Sequence, residues 1–498
     1  MDYINFDISS LFSLEILLVI LLGTFVGLLF GAIPGLGSMI TLVLLLPVTY
    51  TLSPLAAVLL MLAAYQACEY GGSISSIVLG IPGTPAAAAT ILDGNTLARE
   101  TSPGKALGYS LVASTIGGLF GGFVLILLSV PMSSLALKLS FPEYFLVGVL
   151  GILAVAALSS KDIIKSMISV VLGLMAGTVG MDLFTGAPRF TMGRLELLDG
   201  IGMVALIVGI FAFSEVFSMI SNDLNKTYKT DSKKVKVGID FKEFKKISLP
   251  TFSGSIIGSI IGIFPGLGAG TASWFGYSSA KKLSKDPQSF GKGNPEGIAG
   301  PESANNAAVG GALLPLLTLG IPGSPAIAVI MGAFIIHGIT PGPDVFSKNQ
   351  DLVLGIFYGF LLTSIAMFIL GKFISPLFAR VLTVSNTILI PIVLMFSIIG
   401  VFTAQSLFFE LWLALIVGII AFFMKKLDFS LPAFILAFVL SNIIEENLRR
   451  ALMMAKGSYS IFFTRPFSLV ILTLILIIIL VSVISSIKKR KNSTVTPI

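Results

Sequence analysis

The residues able to do chemistry gather at four Pro-Gly pairs and in one polar stretch. Leu79-Gly80-Ile81-Pro82-Gly83-Thr84-Pro85-Ala86 returns as Leu319-Gly320-Ile321-Pro322-Gly323-Ser324-Pro325-Ala326, with only Thr changed to Ser. Upstream of each copy stand Gly31-Ala32-Ile33-Pro34-Gly35-Leu36-Gly37 and Gly262-Ile263-Phe264-Pro265-Gly266-Leu267-Gly268. Pro34 and Pro82 are 48 residues apart, Pro265 and Pro322 57, so order is kept and the unit reads as duplicated. Proline removes a helical hydrogen bond and glycine weakens the helix around it. A broken membrane helix exposes N–H groups at one half-helix start, which attract anions. At the other half's end it exposes C=O groups, which coordinate cations.

On this reading the first half supplies Pro34, Gly35, Gly37, Ser38, Ser73, Gly83 and Thr84 to a substrate site. The second half supplies Gly266, Gly268, Thr271, Asn305, Asn306, Gly323 and Ser324. Ser38, Thr84, Thr271 and Ser324 each follow a break and are expected to act as capping hydroxyls near a small anion. Gly35, Gly80, Asn305 and Gly320 are the candidate Na⁺ positions. Neither repeated motif contains Lys or Arg, so a carboxylate must be met by N–H dipoles, hydroxyls, amides and a co-bound cation.

The densest polar stretch is Asn294–Asn306. Asn305 and Asn306 fall a turn after Pro301, where ligation accounts for them better than capping. Glu302 is either a cap or a ligand. Glu69, deep in an apolar helix, is a functional candidate by default or an acid satisfied by the neighbouring kink. His337, ahead of Gly338 and Pro341-Gly342-Pro343, reads as a loop residue, and Glu215 and Glu410, without repeat partners, as structural.

These motifs need membrane helices around them. Of 498 residues 55% are hydrophobic and 11% charged, against about 25% charged in soluble domains. Apolar runs such as 16–30, 201–220 and 466–487 approach the ~20 residues that cross a bilayer. The expected fold is an all-α polytopic membrane protein of about a dozen transmembrane segments. It is expected to hold two inverted repeats with re-entrant hairpins and broken helices. The start, Met1–Asp7, has no basic region, so no cleaved signal peptide is expected. One cysteine, Cys68, excludes an internal disulfide, and one histidine leaves little acid–base chemistry near neutral pH. The net charge of +7 resides in loops and tail, which bears on orientation and not on nucleic acid.

No Lys or Arg precedes Arg99, which puts the N-terminus outside. Residues 1–220 read as the first membrane repeat, its first hairpin made of two arms too short to span. The loop Asp93–Lys105 is expected in the cytoplasm, and Gly117–Gly122 allows close helix contact. Residues 221–248, with eight Lys against four acids, read as a cytoplasmic linker. Residues 249–465 form the second repeat, and 466–498 an extra C-terminal transmembrane helix with the basic tail Lys488–Lys491. Arg449, Arg450 and Arg465 are left outside by this scheme.

Gly31–Gly37, Tyr70-Gly71-Gly72-Ser73, Pro82-Gly83 and Asp93-Gly94 resemble the first half of the TctA family, the large membrane subunit of tripartite tricarboxylate transporters. Pro295-Glu296-Gly297, Pro301–Ala307, Leu319–Gly323 and His337–Pro343 resemble its second half. The likeness spans residues from about 15 to 480. The chain departs from the family pattern at Gly80, where Asn often stands, and at Thr84, where an acid or similar group is common. The resemblance implies a secondary transporter of the bacterial inner membrane, importing small carboxylates by cation-coupled alternating access. Its coupling ion would be Na⁺ or H⁺, with no cofactor. Implied partners are a small four-helix membrane subunit, an extracytoplasmic solute-binding protein and the lipid bilayer, with room for a homo-oligomer. The alternatives are a passive anion channel or a carrier for another small organic solute without a binding protein. An intramembrane hydrolase is disfavoured, because no Gly-x-Ser-x-Gly occurs and Asp182 has no second membrane Asp as partner.

Overall fold

A glycine at every fourth position lets the first long helix of each half lie directly on its neighbour. The computed structural model describes residues 6–34, 36–158, 163–221, 237–381 and 386–493. They cluster into two compact units, one of Met1–Ser133 with Met203–Phe422, the other of Ser134–Gly202 with Phe423–Ile498.

In the larger unit, Leu14–Ala32 (α1), Gly37–Leu45 (α2) and Pro54–Leu79 (α3) follow one another. Gly23, Gly27 and Gly31 of α1 face α3. A β-carbon on any of them would strike the carbonyl of Leu60, Ala64 or Cys68. The opposite face of α1, with Leu14, Leu18, Leu21 and Phe25, is exposed and suits lipid. Ser13 accepts the N–H of Ile16 at 3.4 Å and so starts α1 early. The helix has 19 residues, long enough to cross a membrane. That corrects the expectation of two short arms, since only α2 with its 3₁₀ continuation to Thr51 is short.

Ile91–Glu100 (α4) and Pro103–Ala136 (α5) follow, α5 belonging to this unit as far as Ser133. Most of the stretch expected as a loop, Asp93–Lys105, is therefore helical. Asp93 in the first turn and Arg99 in the last complement the α4 dipole. In α5, Gly117 and Gly121 pack on the backbone of Ser303 and Ala307, while Gly118 and Gly122 meet Gln66, Ser364 and Phe360.

The second half runs through Phe241–Ile263 (α6), Gly268–Leu283 (α7), Glu296–Leu319 (α8), Pro325–Ile336 (α9) and Gln350–Val381 (α10). A capping box opens α6, Asp240 and Glu243 each accepting the other's N–H. Gly254, Gly258 and Gly262 then face the carbonyls of Gly300, Ala304 and Ala308 in α8. Their spacing is that of the α1 triplet. Of the linker read at 221–248, residues 222–236 lie outside the described residues, as do the side chains of the tail 488–491. Met203–Ser221, Asn386–Gln405 and the start of Phe408–Lys426 also belong to this unit.

The smaller unit holds Phe141–Leu158, Ile163–Gly177, Leu431–Met454 and Pro466–Ser493. Its two-residue ladder, Gly180–Met181 against Pro188–Arg189, is the one strand pair among the described residues. Arg449 pairs with Asp182 at 2.7 Å and Glu445 at 2.8 Å, Arg450 with Glu446, and Arg465 with Glu143 at 2.7 Å. The three arginines that strain the positive-inside count thus have their charges matched by carboxylates. Asp182 itself sits in the hairpin loop and not in a membrane helix. Its carboxylate accepts the N–H groups of Thr185 and Phe184 and pairs with Arg449, which holds its pKa well below the usual Asp value. A depressed carboxylate favours the folded state above about pH 4 and loses that contribution as pH falls further. Asp182→Asn should therefore lower the melting temperature near neutral pH, with the deficit shrinking in acid. A deficit independent of pH would show that the charge is not involved.

Eight described helices are long and apolar enough to cross a membrane, and six shorter apolar helices accompany them. The protein is an all-α polytopic membrane protein.

Candidate functional site

The Pro-Gly pairs at 82–83 and 322–323 end a helix and send the chain back along it. Gly80 and Gly320 close α3 and α8 in the left-handed region, at φ +69° and +73°, where a side chain would be strained. The chain then doubles back. Gly83 N–H donates to the Gly72 carbonyl at 3.2 Å, and Gly323 N–H to that of Ala312 at 3.2 Å. Thr84 and Ser324 are thereby carried about two turns back along the helices they follow. Each caps the turn it begins, Thr84 accepting from Ala87 at 3.3 Å and Ser324 from Ile327 at 3.2 Å.

Ser38 and Thr271 do not cap, contrary to expectation. The positive φ of Gly37 and Gly268 starts α2 and α7 ahead of both hydroxyls, at cap positions Leu36 and Leu267 that make no side-chain bond. The tips of the two hairpins rest on the doubled-back segments. Gly266 N–H donates to the Gly323 carbonyl at 2.9 Å. Gly37 lies beside Gly83, and Gly268 beside Ser324. Pro34 is half-buried at its tip, and Gly35 lies outside the described residues.

These contacts converge on Glu69, which is 3% exposed. The side chains of Ser38, Thr84 and Asn305 turn toward its carboxyl. One turn earlier, Tyr65 Oη lies 3.5 Å from Ser324 Oγ. Asn305 Nδ2 donates to the Glu69 carbonyl at 3.4 Å, and Asn306 Nδ2 to that of Gln66 at 3.0 Å. Gln66 is itself held by Thr363 and Ser364 of α10, at 2.9 and 2.7 Å. Among the described residues, Glu69 Oε2, Asn305 Oδ1 and Asn306 Oδ1 have no hydrogen-bond partner. Both asparagines lie well inside α8, so neither is a cap.

Glu302 is different. It is fully buried, but Thr90 donates to Oε1 at 2.5 Å while Ser114 and Ser110 donate to Oε2 at 2.9 and 3.1 Å. Ser73 joins this network through Ser110, at 2.5 Å, and not the Glu69 cluster. Glu302 thus binds α8 to α4 and α5 with both carboxylate oxygens engaged.

Other expected positions stay apart. Gly80 is eight residues beyond Gly72, about 12 Å at 1.5 Å per residue, and Gly320 stands in the same relation to Ala312. Asn95 lies against Gly80 and donates to the Ile77 carbonyl at 2.9 Å, occupying an α3 end group left for Na⁺. Thr271 is half-buried in α7. His337 ends α9, its Nε2 3.1 Å from the Thr49 carbonyl, as a loop residue would. Glu69, Tyr65 and Gln66 were absent from the expected ligand set. The signal for the first two was their spacing, which puts Tyr65, Glu69 and Gly72 on one helix face.

The cluster offers one carboxyl, hydroxyls and amides, with no Lys, Arg or His among the partners described. An enclosed polar site built where hairpin tips meet interrupted helices is the architecture of a membrane transport protein. The chain belongs to the tripartite tricarboxylate transporter TctA family, whose profile matches residues 17–436. It is 36% identical over 470 residues to a protein of Agrobacterium vitis described as an uncharacterized 52.8 kDa protein in the TAR-I ttuC' 3'region, covering 94% of this chain and 93% of that one. A second Agrobacterium vitis protein, described as an uncharacterized protein in the TAR-II ttuC' 3'region, is 37% identical over 235 residues, 47% of this chain and 97% of its own. No solved structure matches the chain. Family membership makes it a membrane component of a tricarboxylate transporter.

Proposed function

We propose that the protein imports small di- or tricarboxylates by cation-coupled alternating access, as the large subunit of an assembly in the bacterial inner membrane. Its partners would be a small four-helix membrane subunit and an extracytoplasmic solute-binding protein. The observation that carries this reading is the cluster of Ser38, Glu69, Thr84 and Asn305. Its members come from a hairpin, two interrupted helices and a doubled-back loop, so movement of the hairpins would expose the site to one side or the other. The acid-only N-terminus and the Lys-rich stretch 221–248 support an inverted relation between the halves.

Counterflow tests the transport reading. Proteoliposomes loaded with unlabelled tricarboxylate should transiently accumulate labelled tricarboxylate above equilibrium, whereas simple equilibration means a channel. Cysteine labelling tests the topology. Cys68 is fully buried, so Asp2→Cys and Lys233→Cys can be read against a quiet background. Labelling from outside should reach position 2 and spare 233, and equal labelling would overturn the inverted arrangement.

A further inference from the structure

Two buried acids, Glu69 of α3 and Glu302 of α8, are treated differently by their surroundings. Glu302 has three hydroxyl donors on its two oxygens and lacks nothing. Glu69 keeps Oε2 unpartnered, and Asn305, whose side chain lies at the same carboxyl, keeps its amide oxygen unpartnered too. Two acceptors without a donor cost about 1–3 kcal/mol each in a dry interior. A cation held beside them would meet both.

We infer that Glu69 Oε2 and Asn305 Oδ1, with the hydroxyls of Ser38 and Thr84, form a binding site for one Na⁺ ion. All four are hard oxygen donors, which suit such a cation. Only one carries charge, so a monovalent ion leaves a neutral pair within the membrane while a divalent ion leaves an uncompensated charge. The four donors belong to four segments: α2, α3, the loop doubling back from α3, and α8. A proton needs one acceptor and gains little from four, whereas a metal ion uses all of them.

The second half carries no equivalent. By the offset relating Gly31 to Gly262, Ser38 corresponds to Ala269. By the offset relating Cys68 to Ala308, Glu69 corresponds to Val309, Thr84 to Ser324, and Tyr65 to Asn305. The related place therefore holds Val309, Ala269, Ser324 and Tyr65, with no carboxylate. One ion per chain is expected there. Because Ser38 is part of the set, the ion would fasten the first hairpin tip to α3 and α8.

This inference rests on the transport reading for its use as a coupling site, but its test does not require transport. Binding of radioactive Na⁺ to the purified full-length protein, with choline keeping ionic strength constant and no carboxylate added, should saturate near one ion per chain. Glu69→Gln should abolish saturable binding. Asn305→Ala, which leaves the carboxyl in place should Glu69→Gln fail to fold, should weaken binding by about 5- to 150-fold. Glu410→Gln, a buried acid on another helix, should bind as the parent does. Unchanged binding in both Glu69→Gln and Asn305→Ala overturns the site. So does absence of Na⁺ binding to the parent, including the case of counterflow that needs only protons, and there the transport reading stands. Na⁺ binding with these losses but without counterflow supports the site and removes the transport reading.

Discussion

Gly258→Leu is expected to eliminate nearly all folded protein. At this position of α6 even a β-carbon would lie 2.7 Å from the Ala304 Cα and closer still to its carbonyl oxygen. The obstacle is backbone of a fully buried helix, which cannot rotate aside as a side chain can. Overpacking of that kind costs at least about 3 kcal/mol, a shift of roughly 100-fold or more in the folded fraction. Close approach also sustains helix association in lipid, where no hydrophobic gain replaces it. Ile260→Leu, on the exposed face of the same helix, should be neutral. Comparing monodisperse yield by size-exclusion chromatography in detergent checks both. A Gly258→Leu variant with parental yield would mean that α6 does not pack on α8 in this way. Gly27→Leu in α1, against the Ala64 carbonyl of α3, should behave alike.

Asp93→Ala should produce the next largest loss. Asp93 is fully buried, and its Oδ1 accepts the N–H groups of Gly291, Gly293 and Asn294 at 2.9, 3.0 and 2.8 Å. Tyr277 donates to Oδ2 at 3.0 Å. One carboxylate of the first half thereby shapes the loop that leads into α8 of the second. Removing it orphans four donors at about 1–3 kcal/mol each, partly recovered by water at the loop, for a net loss of about 3–5 kcal/mol. Asp93→Asn keeps an acceptor and should lose less than half as much. Melting temperatures in detergent would rank parent, Asn and Ala in that order. Equal values for Ala and parent would show that the loop is held by other contacts.

Composition alone determined that this is a multi-pass helical membrane protein, because 11% charge cannot coat a soluble surface of this size. The recurrence of Leu-Gly-Ile-Pro-Gly, and of Pro-Gly-Leu-Gly before it, determined where helices must stop and pointed to the TctA family. That Thr84 and Ser324 cap was also legible, since capping is decided within three residues. Local signals went no further. Pro-Gly dictates that α3 ends but not where the chain goes next. The return to Gly72 is decided by a packing contact eleven residues back, and it takes Thr84 away from the helix end and sets it beside Glu69. Ser38 looked like a cap because a hydroxyl follows glycine, yet the cap position falls two residues sooner, at Leu36, and the side chain serves a neighbour thirty-one positions on. Glu69 and Glu302 were equally ambiguous as letters. Only the arrangement of Thr90, Ser110 and Ser114 around one of them, and unpaired oxygens beside the other, separates a structural acid from one with an acceptor to spare. A hydrogen bond left unmade is a property of space and not of sequence.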